Sequence, residues 1–198
     1  MVPGPGSWLI IGSSPSEILA RTLKCSVRCG VSTAIERYDD LDVWVGVSRR
    51  SFEGTSLERL GILHHRGGRV VTTVATFDAW MRNTSGRWPN GKGMPGWIAR
   101  IRQLHRTQEM HFYRGEYANS AMSGPLAVQY AIYNGCRELH IVGFEGKDEG
   151  IRGAYVEQAK VLTRIAAGCP DCRFVYYGEM VYPVEGPNVT LCHQPQPS

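Results

Sequence analysis

The chain of 198 residues lacks any long apolar run. Stretches such as Trp8–Ile11 fall far short of the roughly 20 residues that cross a bilayer. Its amino terminus also lacks a basic segment followed by a separate apolar one, which is the pattern of a secretory signal. These two absences predict a cytoplasmic protein with no membrane span.

The six cysteines do not form the dense pattern of a disulfide framework, and a cytoplasmic chain keeps such thiols reduced or uses them for metal binding or catalysis. Cys25 and Cys29 are four residues apart, which places them at a helix end. Cys169 and Cys172 form a Cys-x-x-Cys turn that, with Cys192 and His193, has the ligand types of a tetrahedral zinc site. An ordinary turn between a helix and a strand would use the same residues, so both interpretations stay open.

No acidic residue occurs between Asp78 and Glu109, although the net charge of the whole chain is only +4. This basic interval has six cations and the indoles of Trp88 and Trp97. Arginines beside exposed indoles suit a polyanion such as DNA, whereas a solvated basic face is the alternative. The acceptor-binding candidates are Arg82, Arg87, Arg100 and Arg102.

Short strands alternate with helices along the rest of the chain, which predicts an α/β fold. Strands are expected near residues 8–11, 42–47, 69–74, 110–113, 138–142 and 174–177. Helices are expected over 17–24, 97–106, 125–134 and 153–167. The pattern indicates one Rossmann-like domain over residues 1–182, with a mainly parallel twisted sheet, and a Pro-rich tail over 183–198 that is a surface strap or disordered.

Small polar residues follow several of these strands. Ligands of parallel sheets bind beyond the carboxyl ends of the strands, where glycine lets the backbone approach and helix N-termini attract phosphate. Tight turns and plain helix caps would use the same residue types. The binding candidates at this edge are Gly12, Ser13, Ser14, Ser48, Ser123, Gly124 and Gly143.

Residues 123–145, with Ser123-Gly124, a helix, and a strand that ends in Gly143-Phe-Glu145, resemble a stretch of the bacterial sialyltransferases of glycosyltransferase family 42 and of a related archaeal pterin pyrophosphokinase-like family. Residues 9–16 are similar to the first strand and loop of these families. The resemblance covers most of residues 8–180. It implies that Ser13 and Ser14 contact nucleotide phosphates or ribose, that Ser48 lies near the base or ribose, and that Ser123 and Gly124 hold the cytidine side.

The chain departs from that family after Glu145, where the lid that supplies a catalytic histidine is much shortened and only Tyr155 remains as a candidate. Transfer from an activated donor needs a base, and the candidates are Glu145, His111 and Asp148. We therefore expect a glycosyltransferase-like enzyme that uses a nucleotide-sugar as substrate and requires no cofactor. Two alternatives are pyrophosphoryl or nucleotidyl transfer to a small heterocycle with Mg²⁺, and a non-catalytic nucleotide-binding module.

Overall fold

The structure is a computed structural model that describes residues 6–47, 52, 55–83, 96, 98–104, 122–145 and 152–192. Within these residues, no helix combines the length and the apolar character that a bilayer crossing needs. The strands are β1 Ser7–Ile11, β2 Val27–Val31, β3 Val43–Val45, β4 Arg69–Thr73, β5 Arg102–Leu104, β6 Glu138–Val142, β7 Arg173–Tyr177 and β8 Val189–Cys192. The helices are α1 Thr55–His65, α2 Val74–Asn83, α3 Ser123–Tyr133 and α4 Arg152–Gly168, with short 3-10 helices at Pro15–Arg21, Ser32–Glu36 and Ile98–Arg100.

All eight strands form one sheet in the order β5-β4-β3-β2-β1-β6-β7-β8, and every pairing is parallel. This confirms the predicted α/β, Rossmann-like domain. The order reverses at β1, which pairs with β2 on one side and β6 on the other. Such a reversal opens a crevice at the carboxyl ends of the strands, because the following connections leave on opposite faces.

Alternate residues of β1 pack into two hydrophobic cores, one on each face of the sheet. Trp8 and Ile10 pack on the face that α3 and α4 cover, whereas Leu9 and Ile11 pack on the face of α1 and α2. All four side chains are fully buried. A strand buried on both faces reads as a continuous apolar run, which is why β1 was recognisable in the sequence.

Several predicted elements differ from the structure. Cys29 lies within β2 and not at a helix end, so that prediction is wrong. The predicted helix over 97–106 is wrong as well, because its described residues form a 3-10 turn and then edge strand β5. The tail was expected to be a strap, whereas Val189–Cys192 pair with β7. The strand predicted at 110–113 lies outside the described residues.

The helix predicted over 125–134 is confirmed as α3, whose C-cap is Asn134 and which is followed by Gly135 in a left-handed conformation. Pro125 lies in its first turn, where its missing N–H costs no helical hydrogen bond. The helix contacts β1, β2 and β3 and brings its N-terminus to the carboxyl ends of these strands. It therefore points the positive end of its dipole at the crevice.

Candidate functional site

A cavity of about 270 Å³ lies at the carboxyl ends of β1, β2, β3 and β6. Its wall is formed by residues at the ends of these strands, in the loops after them, and in α3 and α4. The wall has four serines, Ser13, Ser14, Ser32 and Ser123; three glycines, Gly12, Gly124 and Gly143; the polar side chains of Tyr155 and Gln158; and the apolar residues Val31, Val47, Met122 and Phe144. Hydroxyl groups from three separate loops thus converge on one space.

Six of the seven predicted binding residues line this cavity, namely Gly12, Ser13, Ser14, Ser123, Gly124 and Gly143. The seventh, Ser48, lies outside the described residues, although the preceding Val47 is part of the wall. Tyr155, the candidate from the shortened lid, also lines it from α4. What these residues bind stays a prediction, but the structure brings them together.

The loop after β1 is held by the loop after β6. The carbonyl oxygen of Gly143 accepts hydrogen bonds from the amides of Ser13 and Ser14, both at 3.1 Å, and the amide of Gly143 donates to Ser16 Oγ at 2.7 Å. The sequence suggested that the backbone of this loop approaches a phosphate. Because the two amides are already bonded within the protein, the groups that this loop offers to a ligand are the hydroxyls of Ser13 and Ser14.

Glycine is required at the contact between these loops. Gly143 has a φ of +76°, which side chains with a Cβ rarely adopt, and a Cβ there would lie 2.8 Å from the carbonyl carbon of Gly12. A Cβ on Gly12 would in turn overlap the carbonyl oxygen of Gly143. The close approach of β1 and β6 at their carboxyl ends, beside the cavity, therefore requires glycine at both positions.

Ser123 begins α3 and links it to the loops after β2 and β3. Its Oγ accepts a hydrogen bond from the amide of Val47 and bonds with Ser32 Oγ, each at 3.1 Å. No side chain caps α3, whose N-cap residue is Met122. The N-terminus of this 11-residue helix therefore faces the cavity with its partial positive charge, an arrangement that favours an anion.

Ser32 is a cavity residue that the sequence analysis missed. It has a φ of +50°, the one positive φ of a residue other than glycine among those the structure describes. Its carbonyl oxygen accepts a hydrogen bond from Trp44 Nε1 at 2.7 Å, which helps to hold this unfavourable backbone. The signal was the alternation of Val27, Cys29 and Val31 before a serine, but Cys29 had been assigned to a helix end.

The structure does not bring Glu145 into the cavity. The side chain is 3 % exposed, and its Oε1 accepts a hydrogen bond from the amide of Ser16 at the start of the Pro15–Arg21 helix. Burial, with a further contribution from the charge of Glu145, raises the pKa of the neighbouring Glu17 even though Arg37 opposes this shift. Glu145 is thus buried and caps the Pro15–Arg21 helix. The other two candidate bases, His111 and Asp148, lie outside the described residues.

Replacing Glu145 by alanine is expected to lower the free energy of unfolding by about 2 kcal/mol, because the Ser16 amide would be left buried without an acceptor. Glu145→Gln keeps an oxygen at that position and should cost less than half as much. Chemical denaturation of both variants measures the difference. Equal losses in the two would show that the hydrogen bond contributes little.

The four arginines proposed to bind an acceptor are only partly described. Arg82 lies in the last turn of α2 and Arg100 ends a 3-10 turn, and both are exposed. Arg102 lies in β5, where only its backbone is described, and Arg87 lies outside the described residues. Burial and then the charge of Arg100 lower the pKa of His64 at the end of α1, so Arg100 lies on this side of the sheet, by α1.

The structure does not assemble the predicted zinc ligands. Among the described residues, no three His, Cys, Asp or Glu side chains form a group that could hold a metal ion. The Cys172 thiol is hydrogen-bonded to that of Cys136. The Cys169–Cys172 turn is fastened by Asn188, whose Nδ2 donates to the carbonyl oxygens of both cysteines. These contacts support the alternative of an ordinary turn, with His193 outside the described residues.

Comparison of this chain with protein-family models, with curated proteins and with solved structures finds no match.

Proposed function

We propose that this protein binds a nucleotide or nucleotide-sugar in the cavity and is a glycosyltransferase-like enzyme that transfers the sugar to an acceptor. The observation that carries the proposal is the convergence of four serine hydroxyls and the N-terminus of α3 at the point where the strand order reverses. Ligands of open α/β sheets bind at this point. The resemblance of residues 123–145 to family 42 sialyltransferases supports the same assignment.

The chemistry of the wall suits a phosphate and a ribose. The helix N-terminus and the hydroxyl of Ser123 favour an anionic oxygen, and the hydroxyls of Ser13, Ser14 and Ser32 match the donors and acceptors of a sugar ring. The volume of about 270 Å³ is close to the lower end of the range of about 300–1,000 Å³ that is typical of ligand sites. We therefore place the nucleotide in the cavity and the transferred sugar at its mouth.

A nucleotide-binding module without catalysis is the second candidate. The described residues of the wall have no charged side chain, and Glu145 is turned away to cap a helix. A transferase needs a base for the acceptor proton. In our proposal this base is His111 or Asp148. Turnover of a nucleotide-sugar is the property that separates the glycosyltransferase from the non-catalytic binding module.

Nucleotidyl transfer with Mg²⁺ fits this wall less well. Mg²⁺ is usually bound through one or two carboxylates, and the described wall has none. Asp40 and Asp42 have the spacing of a metal-binding pair, but they precede β3, at the opposite end of the sheet, and both bond to Arg28. The described residues of the wall therefore do not fit a magnesium site.

The acceptor is proposed to be a polyanion, with DNA as the first choice. The exposed Arg82 and Arg100 belong to the basic interval that has no acidic residue. Binding through phosphate contacts weakens steeply as salt is added. Fluorescence anisotropy with labelled DNA at about 50 mM salt, where micromolar association is expected, tests the acceptor separately from the nucleotide.

A thermal-shift panel of CMP, UDP, GDP, ATP and their sugar conjugates, with and without Mg²⁺, tests the proposed function. A ligand present at about 100 times its Kd stabilises the native state by about 2.7 kcal/mol, which corresponds to a rise in Tm of roughly 5–10 °C for a domain of this size. Release of free nucleotide from a stabilising sugar conjugate would identify the transferase. Stabilisation without release would identify the binding module, and no stabilisation by any member would contradict both.

A further inference from the structure

A second group of reactive side chains lies on the face of the sheet opposite α3 and α4. Tyr177, at the end of β7, has its hydroxyl 2.8 Å from Nδ1 of His140 on β6, and Nε2 of the same imidazole is 3.1 Å from Oε1 of Glu138. The two rings are stacked, with centroids 5.8 Å apart and an interplanar angle of 23°. None of these residues lines the cavity.

The hydrogen bonds determine the tautomer of His140. A carboxylate can only accept, so the Nε2 that faces Glu138 carries the proton, and Nδ1 of the neutral imidazole is the acceptor. The Tyr177 hydroxyl must then donate to Nδ1. The order phenol, imidazole, carboxylate is that of a hydroxyl nucleophile with an oriented general base.

Other groups around Tyr177 oppose its spontaneous ionisation. Burial is the main cause that raises the pKa of the phenol, and Cys192, Cys25 and Glu138 add to it, whereas Arg173 acts in the opposite direction. The phenol is therefore neutral near pH 7 and depends on a base to react. The site remains reachable, because Tyr177 is half-buried and the side chains of His140 and Glu138 are 18 % and 40 % exposed.

We propose that Tyr177 is a nucleophilic modification site that accepts an acyl group, with His140 as its general base. The phenol oxygen bonds to the carbonyl carbon of an activated acyl donor, such as an acyl-imidazole or a thioester, and the phenol proton passes to Nδ1 of His140. Glu138 stabilises the resulting imidazolium. The bond from that carbon to the leaving group breaks with its electron pair on the leaving group, which can take up the proton from His140.

N-acetylimidazole, which transfers an acetyl group with imidazole as the leaving group, is the probe. The reference within the same sample is Tyr133, which is 52 % exposed and thus more accessible than Tyr177. A positioned base accelerates such proton transfers by about 10²–10⁴-fold. We expect Tyr177 to be O-acetylated at least about tenfold faster than Tyr133, as measured by peptide mapping in a mass spectrometer.

His140→Gln is the decisive variant, because the amide can accept from Tyr177 and donate to Glu138 but cannot take up a proton. It should slow acetylation of Tyr177 at least about tenfold and leave Tyr133 unchanged, with an unaltered Tm as the control for folding. Tyr177→Phe confirms the assignment of the modified peptide. Acetylation of Tyr177 no faster than that of Tyr133, or a rate insensitive to His140→Gln in the folded protein, would overturn the proposal.

Discussion

Gly12→Ala is expected to lower the free energy of unfolding by about 2–3 kcal/mol, and the Tm by roughly 5–10 °C. The added Cβ would overlap the carbonyl oxygen of Gly143. A backbone atom cannot rotate away as the tip of a side chain can, so β1 and β6 must move apart at their carboxyl ends. The same Gly143 oxygen accepts hydrogen bonds from the amides of Ser13 and Ser14, and the movement of the strands would strain both hydrogen bonds.

Gly168→Ala is the matched control. Gly168 is the last residue of α4, and a Cβ there would have no neighbour within 4 Å. The same methyl group is added, but the backbone has an ordinary φ and the site is open, so stability should be unchanged or rise by up to about 1 kcal/mol. Differential scanning calorimetry of the two variants isolates the effect of the loop contact. Equal Tm values would mean that the approach of Gly12 to Gly143 is not tight in solution.

Five of the eight strands that the structure describes were predicted from the sequence, whereas the central strand β2 and the edge strands β5 and β8 were not. β6 was predicted with its observed bounds because a mainly apolar run over 139–142 stands between Gly135 and Gly143. β5 consists of Arg102, Gln103 and Leu104, which have no strand pattern of their own. Their conformation is determined by pairing with β4, a contact that local sequence does not encode.

The residues of the cavity wall could be predicted from the sequence, and the position of the Glu145 side chain could not. Ser13, Ser14 and Ser123 were found because each follows a recognisable turn at a strand end or helix start. Glu145 stands two residues after Gly143 in the sequence, which made it a candidate base. The left-handed conformation of Gly143 redirects the chain, so the carboxylate points to Ser16 instead of the cavity. Side-chain direction after such a turn cannot be inferred from spacing.

Ser123→Trp is expected to weaken nucleotide binding at least about 100-fold, equivalent to about 2.7 kcal/mol. Ser123 lies on the wall of a cavity of about 270 Å³, and an indole there would occupy the space beside the N-terminus of α3. Gly124→Val is a poorer test of the same site. The Cβ of a residue at 124 would lie 2.5 Å from the ring of Phe144, so lost binding could reflect altered packing.

Two further variants separate the effect of filling the cavity from the effect of losing the Ser123 hydroxyl. Thr190→Trp adds the same indole at an exposed position of β8 and should bind nucleotide as the parent does. Ser123→Ala keeps the cavity open but removes the hydroxyl that joins Val47 and Ser32, and the loss of about one hydrogen bond should weaken binding roughly tenfold. Isothermal titration calorimetry, with the nucleotide that gives the largest thermal shift, measures all three affinities.

The pattern of the three affinities decides where the ligand lies. A large loss in Ser123→Trp, a small one in Ser123→Ala and none in Thr190→Trp is the result that a phosphate or ribose beside α3 requires. If folded Ser123→Trp binds with the affinity of the parent, the nucleotide occupies another part of the molecule. Ser123 and Ser32 would then serve to join the loops after β2 and β3, with the Ser123 hydroxyl accepting the hydrogen bond from the amide of Val47.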